Sequence, residues 1–314
     1  MANLSEDRNH TANYNQAAFC INTSLGGELH LFLVVLNICL SITAITWNAL
    51  ILIALRKSSV RPATKLLFRC LASTDFCVGL ILQPFYLTYM MTSESLNICP
   101  LIATLIRIAG VIFCGVSLTT LTAISVERLL ALLLVMRYRE VVTLRRVRIL
   151  VTTLWAFCGI LSMLFLVSYH VAVGMVSIIM LMCLIVSVFC YTKIYVAFNR
   201  HQRMLEQNTP QRNPNKPGGE LLLSTPRYKK TVSFSLLLQM ALVICYFPLA
   251  IVLAVFAFAK LQSSILDFVY NIALSVVVFN SSLNPILYFW KIQEVRQAVK
   301  DTIRKLAGHL TIKG

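Results

Sequence analysis

Residues 149–192 read ILVTTLWAFCGILSMLFLVSYHVAVGMVSIIMLMCLIVSVFCYT, a run of 44 positions from Ile149 to Thr192 without one Asp, Glu, Lys or Arg. A helix crosses a bilayer in about 20 residues. The run is therefore too long for one span and fits two helices joined by a very short turn, near Ser168-Tyr169-His170 or at Gly174. Working outward, 27 uncharged residues lie between Glu28 and Arg56, residues 70–93 contain only Asp75, and 108–126 are charge-free after 95–106, with Arg107 between. Residues 231–259 and 268–290 complete a set of seven spans.

The composition agrees. The 314 residues are 58% hydrophobic and only 13% charged, too few charges to cover a soluble body of this size. That excludes a soluble enzyme. The net charge of +16 would suggest nucleic-acid binding in a soluble protein. Here 25 of the 28 basic residues fall into four clusters, Arg56 to Arg69, Arg128 to Arg148, Lys193 to Lys230 and Lys291 to Lys313. Cytoplasmic loops carry the excess of Lys and Arg, so the clusters place the N-terminus outside and the C-terminus inside, with no role for nucleic acid. The polar tail holds glycosylation sequons at Asn3, Asn9 and Asn22, as an extracellular segment would. No cleavable leader precedes the first span, which is expected to act as the targeting signal.

This reading divides the chain into an extracellular tail (1–28), a seven-span domain (29–290) and a cytoplasmic amphipathic helix and tail (291–314). Within the domain, a Pro/Gly/Asn-rich cytoplasmic loop occupies about residues 200–228. The fold class is all-α. Ile292, Val295, Val299, Ile303 and Leu306 recur at helical spacing among basic residues, which predicts a short eighth helix on the inner leaflet.

Polar groups inside a bilayer are expensive and informative. Span two carries Asp75, span one Asn48, span three Ser117, and span seven Asn280, Ser281 and Asn284. These oxygens suit a monovalent cation or a proton-coupled water network, and each Ser or Asn can equally bond a neighbouring helix. Span three ends in Glu127-Arg128. Span six contains Tyr246-Phe247-Pro248 and span seven Asn284-Pro285-Ile286-Leu287-Tyr288, each proline removing a helix hydrogen bond.

Taken in order, Asn48, Leu71-Ala72-Ser73-Thr74-Asp75, Glu127-Arg128, Trp155, Tyr191, Phe247-Pro248, Asn284-Pro285 with Tyr288, and the eighth helix resemble a rhodopsin-like (class A) G-protein-coupled receptor over roughly residues 29–306. The resemblance implies an allosteric Na⁺ pocket of Asp75, Ser117, Asn280 and Ser281, with Asn48 and Asn284 linked through water. It implies that Glu127 holds Arg128 at rest and that Tyr191 and Tyr288 swing toward that arginine on activation. Pro248 is the implied hinge of helix six, with Tyr246 in place of the usual tryptophan beside it, and Pro285 breaks helix seven. The implied partners are a heterotrimeric G protein, arrestin, receptor kinases and the lipid bilayer, at the plasma membrane. No catalysis is implied.

The departures carry information. Leu129 follows Arg128 where a tyrosine is usual, and Cys183 stands where span five usually has a proline. The second extracellular loop, at about 168–174, has no cysteine. Cys20 and Cys99 either pair and tie the tail across the pocket or stand as free thiols. Tyr228-Lys229-Lys230 occupies the place of an acid that often locks Arg128, which predicts ligand-independent signalling. No cysteine follows the eighth helix to carry the usual palmitoyl anchor.

Among ligands, the sequence mainly excludes. Gly110 replaces the Asp of amine receptors, and Val278 replaces the retinal-binding lysine, so retinal is not expected. The short second loop resembles the branch of melanocortin, adenosine, cannabinoid and lysophospholipid receptors. Yet Phe85, Ala103 and Arg107 stand in place of the melanocortin acidic cluster, and Leu253 in place of adenosine's asparagine. Tyr86, Tyr89, Val111, Cys114, Tyr246, Leu249 and Phe268 form an apolar upper pocket with the one cation Arg107. That suits a small apolar or anionic molecule or a lipid, unless Arg107 pairs with Glu94 or Asp267. Two other classes compete: a seven-helix ion or proton carrier built around Asp75, which needs further intramembrane carboxylates, and a membrane enzyme, which needs a His/Asp/Glu cluster at one depth. The sequence offers neither.

Overall fold

The computed structural model describes residues 27–58, 60–91, 98–134, 137–208, 226–259 and 264–291, together with helical positions 296, 297, 299, 300 and 304. The described residues fold into seven membrane-length helices: α1 (Gly27–Lys57), α2 (Pro62–Met91), α3 (Cys99–Leu134), α4 (Leu144–Val167), α5 (Tyr169–Asn208), α6 (Pro226–Ala254) and α7 (Ser264–Lys291). A short helical turn, Tyr138–Val141, lies between α3 and α4. The expected all-α, seven-span bundle is present, with no strand among the described residues.

The bundle is apolar outside and polar inside. Leu31, Ile42, Ile160, Leu166 and Val167 are exposed, while Asn37, Asn48, Asp75, Gln83, Ser117, Asn280 and Asn284 are buried. Water-soluble helices sort the other way. Without a hydrophobic drive between helices in lipid, such polar side chains supply the interhelical bonds.

The 44-residue run resolves as α4 and α5 separated by Ser168 alone, in extended backbone (φ −155°, ψ 115°). The loop expected at 168–174 is therefore one residue, and Tyr169, His170 and Gly174 already lie in α5. The break is this short because its polar groups stay bonded: Ser168 N–H donates to Leu164 O at 2.9 Å, and Ser168 O accepts from Ala172 N at 3.0 Å. At its far end α5 runs to Asn208 and α6 starts at Pro226, so helix reaches into both ends of the segment expected as loop.

Pro84 shapes α2. Its ring crowds the carbonyl four residues back and it offers no N–H. The chain answers with a wide π turn at Val78–Leu82, in which Gln83 N–H donates to Val78 O, five residues back. That register releases the Gly79 carbonyl, which Ser41 Oγ of α1 takes at 2.8 Å. Gly79 also permits the approach: a Cβ there would stand 2.9 Å from Ile45 Cγ1 and 3.0 Å from Ser41 O.

Of the predicted eighth helix, the described positions show Val299 fully buried, with Arg296, Lys300 and Arg304 exposed. The eight cysteines with described side chains are unbridged. Cys20, the side chain of Cys99, and the sequons at Asn3, Asn9 and Asn22 lie outside the described residues.

Candidate functional site

Asp75 sits in the middle of α2, fully buried. Its Oδ1 accepts from Ser117 Oγ of α3 at 3.0 Å and from Ser281 Oγ of α7 at 2.9 Å, and its Oδ2 from Asn284 Nδ2 at 2.8 Å. One carboxylate thus ties three helices. Asn48 of α1 joins by donating to Ser281 O at 3.0 Å and to Ala44 O at 2.8 Å. Pro285, next to Asn284 and inside α7, offers no N–H to the Ser281 carbonyl four residues back, and Asn48 supplies a donor to that carbonyl instead. The side-chain oxygens of Asn48, Asn280 and Asn284 are buried without a hydrogen-bond partner among the described residues, as is Asn280 Nδ2. Buried amides are normally satisfied. A carboxylate beside orphaned amide oxygens is a hard-oxygen donor set that fits a small monovalent cation.

The second cluster lies toward the C-terminal end of α3. Glu127, 5% exposed, pairs with Arg128 at 3.3 Å. Glu127 Oε1 accepts from Thr64 Oγ1 of α2 at 2.9 Å and from the Tyr138 hydroxyl. Burial, and then the neighbouring Glu127 carboxylate, push the Tyr138 hydroxyl above its ordinary range, so it stays a donor at neutral pH. Arg61 lies 5.0 Å over the Tyr138 ring, and Arg128 lies 5.8 Å over Phe68. Tyr191 stacks on Tyr195 with ring centroids 6.2 Å apart. The side chains of Tyr288, Lys229 and Lys230 lie outside the described residues, so Arg128's relation to them is not part of this geometry.

An apolar cavity of about 100 Å³ lies among α2, α3, α4, α5, α6 and α7. Of the residues expected around a ligand, Arg107, Val111, Cys114, Tyr246 and Leu249 line it. Tyr86, Tyr89 and Phe268 do not. Tyr86 is turned into the seam between α2 and α7, where its hydroxyl donates to Asn271 Oδ1 at 2.9 Å. Tyr89 packs in the cluster around Leu82 and Ile106, and Phe268 packs against the main core. Arg107 lies 4.9 Å over the Tyr169 ring. Tyr246, 1% exposed, donates to Cys114 O at 3.4 Å, while Pro248 two residues on is exposed at the bundle surface.

Sequence reasoning missed a second polar seam. Asn37 Nδ2 of α1 donates to Ser275 Oγ of α7 at 3.0 Å, and Gln83 Nε2 of α2 donates to Asn37 Oδ1 at 3.2 Å. Ser275 Oγ donates to Asn271 O at 2.9 Å. Lower down, Thr43 and Ser282 share a hydroxyl bond at 2.9 Å. The available signal was the register: Asn37 and Asn48 on one face of α1, Asp75 and Gln83 on one face of α2.

Seven membrane-length helices thus enclose a buried carboxylate at the middle of α2 and an acid-arginine pair toward one end of α3. The profile of the 7 transmembrane receptor (rhodopsin family) matches residues 47–175 and 166–288, and the chain belongs to that family. It is 25% identical to melanocortin receptor 4 of Danio rerio over 187 residues, 59% of this chain and 55% of that one. It is 26% identical to melanocortin receptor 5 of Homo sapiens over 192 residues, 60% and 56% of the two chains, and 24% identical to melanocortin receptor 5 of Mus musculus over 189 residues, again 60% and 56%. The match spans little more than half the length of these relatives.

Proposed function

We propose that this multi-pass membrane protein of the rhodopsin family is a plasma-membrane receptor, N-terminus outside, that activates a heterotrimeric G protein through outward movement of α6. The observation that carries the proposal is the set of bonds from Asp75 to Ser117, Ser281 and Asn284, a two-state fastening of α2 to α3 and α7 in a bundle that also holds the cavity and Arg128. Asp75, Ser117, Asn280 and Ser281 would hold Na⁺, bordered by Asn48 and Asn284. A bound Na⁺ supplies the charge that balances Asp75 in apolar surroundings. Ser117 and Ser281 keep α3 and α7 against α2 at rest. Glu127 restrains Arg128 until the inner cleft opens, Tyr246 couples the cavity to α6, and Pro248 is the hinge.

The basic inner face suits anionic headgroups and an acidic G-protein surface, and receptor kinases and arrestin are the further partners of this reading. The ligand is a small apolar or anionic molecule or a lipid. The relatives' names raise a melanocortin ligand, but Phe85, Ala103 and Arg107 replace the acids such a ligand would meet. The carrier reading needs a path of buried carboxylates. Among the described residues the buried ones are Asp75 and Glu127, and Glu127 is engaged at the inner boundary.

A panel of cell-based G-protein activation assays tests the proposal, with wild type compared with Arg128→Ala and Asp75→Asn at matched surface expression. The proposal expects the two variants to differ from wild type and from each other. Identical outputs from all three would sink it.

A further inference from the structure

Where α3 gives way to α4 the chain carries arginine at 137, 139, 145, 146 and 148, against one acid, Glu140. Side-chain contacts hold this stretch in shape. The Tyr138 hydroxyl is bonded to Glu127, Arg61 lies 5.0 Å over the Tyr138 ring, and Arg146 donates to Glu140 O at 3.2 Å and to Val141 O at 2.9 Å. Arg146 is thus engaged in fastening the start of α4 to the Tyr138–Val141 turn. Arg137, Arg139, Arg145 and Arg148 are exposed, and none of the four pairs with a carboxylate among the described residues. Arg145 and Arg148 stand at the start of α4, where the helix dipole opposes positive charge and favours an anion. Leu133, Val141, Leu144 and Ile149, interleaved with the arginines, are exposed as well. Guanidiniums alternating with exposed apolar side chains suit a bilayer interface, with the stems in the apolar layer and the charges among phosphates.

We infer that this stretch is a docking site for a polyphosphorylated lipid headgroup, held by Arg137, Arg139, Arg145 and Arg148. Charge density sets the class. A guanidinium fork takes phosphate bidentately, and four such forks on a fastened backbone offer more donors than a singly charged headgroup can occupy. The apolar neighbours set the source. A lipid lays its acyl chains beside Leu144 and Ile149, whereas a soluble polyphosphate leaves those side chains in water. α3 and α4 run from this stretch as membrane-length helices, so lipid is already their neighbour. The assignment narrows the anionic headgroups of the receptor reading, on which it rests for placing this end of the bundle at the inner leaflet.

The test is native mass spectrometry of the purified full chain in detergent, with phosphatidylinositol bisphosphate, phosphatidylserine or phosphatidylcholine titrated in. It needs neither a G protein nor a membrane orientation, so its failure is separable from failure of the receptor reading. The bisphosphate is expected to bind at least about tenfold tighter than phosphatidylserine, with phosphatidylcholine weakest. Replacing Arg137, Arg139, Arg145 and Arg148 together by Gln is expected to remove that preference. Glu140→Gln is expected to tighten binding of the bisphosphate about two- to threefold, a gain that misfolding does not mimic. Replacing the exposed Arg296, Lys300 and Arg304 beyond α7 by Gln is the charge control and is expected to keep the preference. Inositol trisphosphate in about tenfold excess is expected to leave the lipid bound. Equal binding of the bisphosphate and phosphatidylserine would overturn the assignment and leave these arginines to an acidic protein surface. So would a preference that survives the fourfold variant, a control that loses it equally, looser or unchanged binding in Glu140→Gln, or displacement by inositol trisphosphate.

Discussion

Asn284 Nδ2 of α7 donates to Asp75 Oδ2 of α2 at 2.8 Å, 209 residues apart in sequence and beside the proline inside α7. The other carboxylate oxygen is held by Ser117 and Ser281. The charge of Asp75 is thus met by three neutral donors, and one of them, Asn284, carries an amide oxygen with no hydrogen-bond partner among the described residues. Hydrogen bonds lower the cost of a buried carboxylate but do not neutralise it. A monovalent cation bound there would.

Basal G-protein activation by the wild type is therefore expected to fall when sodium replaces N-methylglucamine at constant ionic strength. Asp75→Asn is expected to lose that dependence, because the amide carries no charge and turns an N–H toward one of its present donors. Nucleotide exchange measured in both salts checks this; equal sodium sensitivity in the two proteins would contradict it.

Glu127 draws on two donors besides Arg128, namely Thr64 and Tyr138. Both donate to Oε1, so removing either takes one hydrogen bond from a buried charged acceptor, worth about 1.5–3 kcal/mol, and leaves the other. Tyr138→Phe and Thr64→Ala are each expected to loosen the resting arrangement and raise basal signalling at equal surface expression. Basal output unchanged in both would show that the cluster does not hold the resting state.

Gly79→Ala places a methyl 2.9 Å from Ile45 and 3.0 Å from the Ser41 carbonyl. Overpacking of this kind costs about 1–3 kcal/mol. The expected result is a lower thermal midpoint in detergent, while Gly110→Ala, which meets open space, leaves the midpoint in place. Equal midpoints for the two alanine variants would contradict the close approach of α1 and α2.

Tyr246 contributes more by packing than by its hydroxyl, whose bond to Cys114 O is long at 3.4 Å. Tyr246→Phe is expected to cost less than about 1 kcal/mol. Tyr246→Ala empties one of the largest fully buried side chains and is expected to cost about 3–5 kcal/mol. Thermal unfolding of the two variants separates the contributions.

The helices were legible because span length and charge placement are one-dimensional signals, and Asp75 was legible because a carboxylate amid apolar residues is expensive and rare. The sequence confines the α4–α5 junction to residues 168–174, near Ser168-Tyr169-His170 or at Gly174, and the structure narrows it to Ser168. Ser168 shows why: backbone bonds on both of its sides continue without a loop, and nothing in Tyr169, His170 or Gly174 marks them as helical. Tyr86 was read as a pocket residue on its aromatic character, whereas its position on α2 turns it to Asn271. Partners such as Asn37 with Ser275, or Glu127 with Tyr138, depend on how helices rotate against one another. A single sequence does not encode that rotation in any local pattern. The π turn had a local cause in Pro84, and its consequence, the Ser41 bond to a released carbonyl, emerges only from packing.

The central claim is that Arg128 transmits the state of the bundle to a G protein. Its most direct test is nucleotide exchange by purified G proteins of each major class on nanodiscs carrying wild type or Arg128→Ala. The account predicts exchange above empty nanodiscs for the wild type with at least one class, falling to the empty-nanodisc rate in the variant. Wild-type exchange no faster than empty nanodiscs with every class, or full activity in Arg128→Ala, would contradict it.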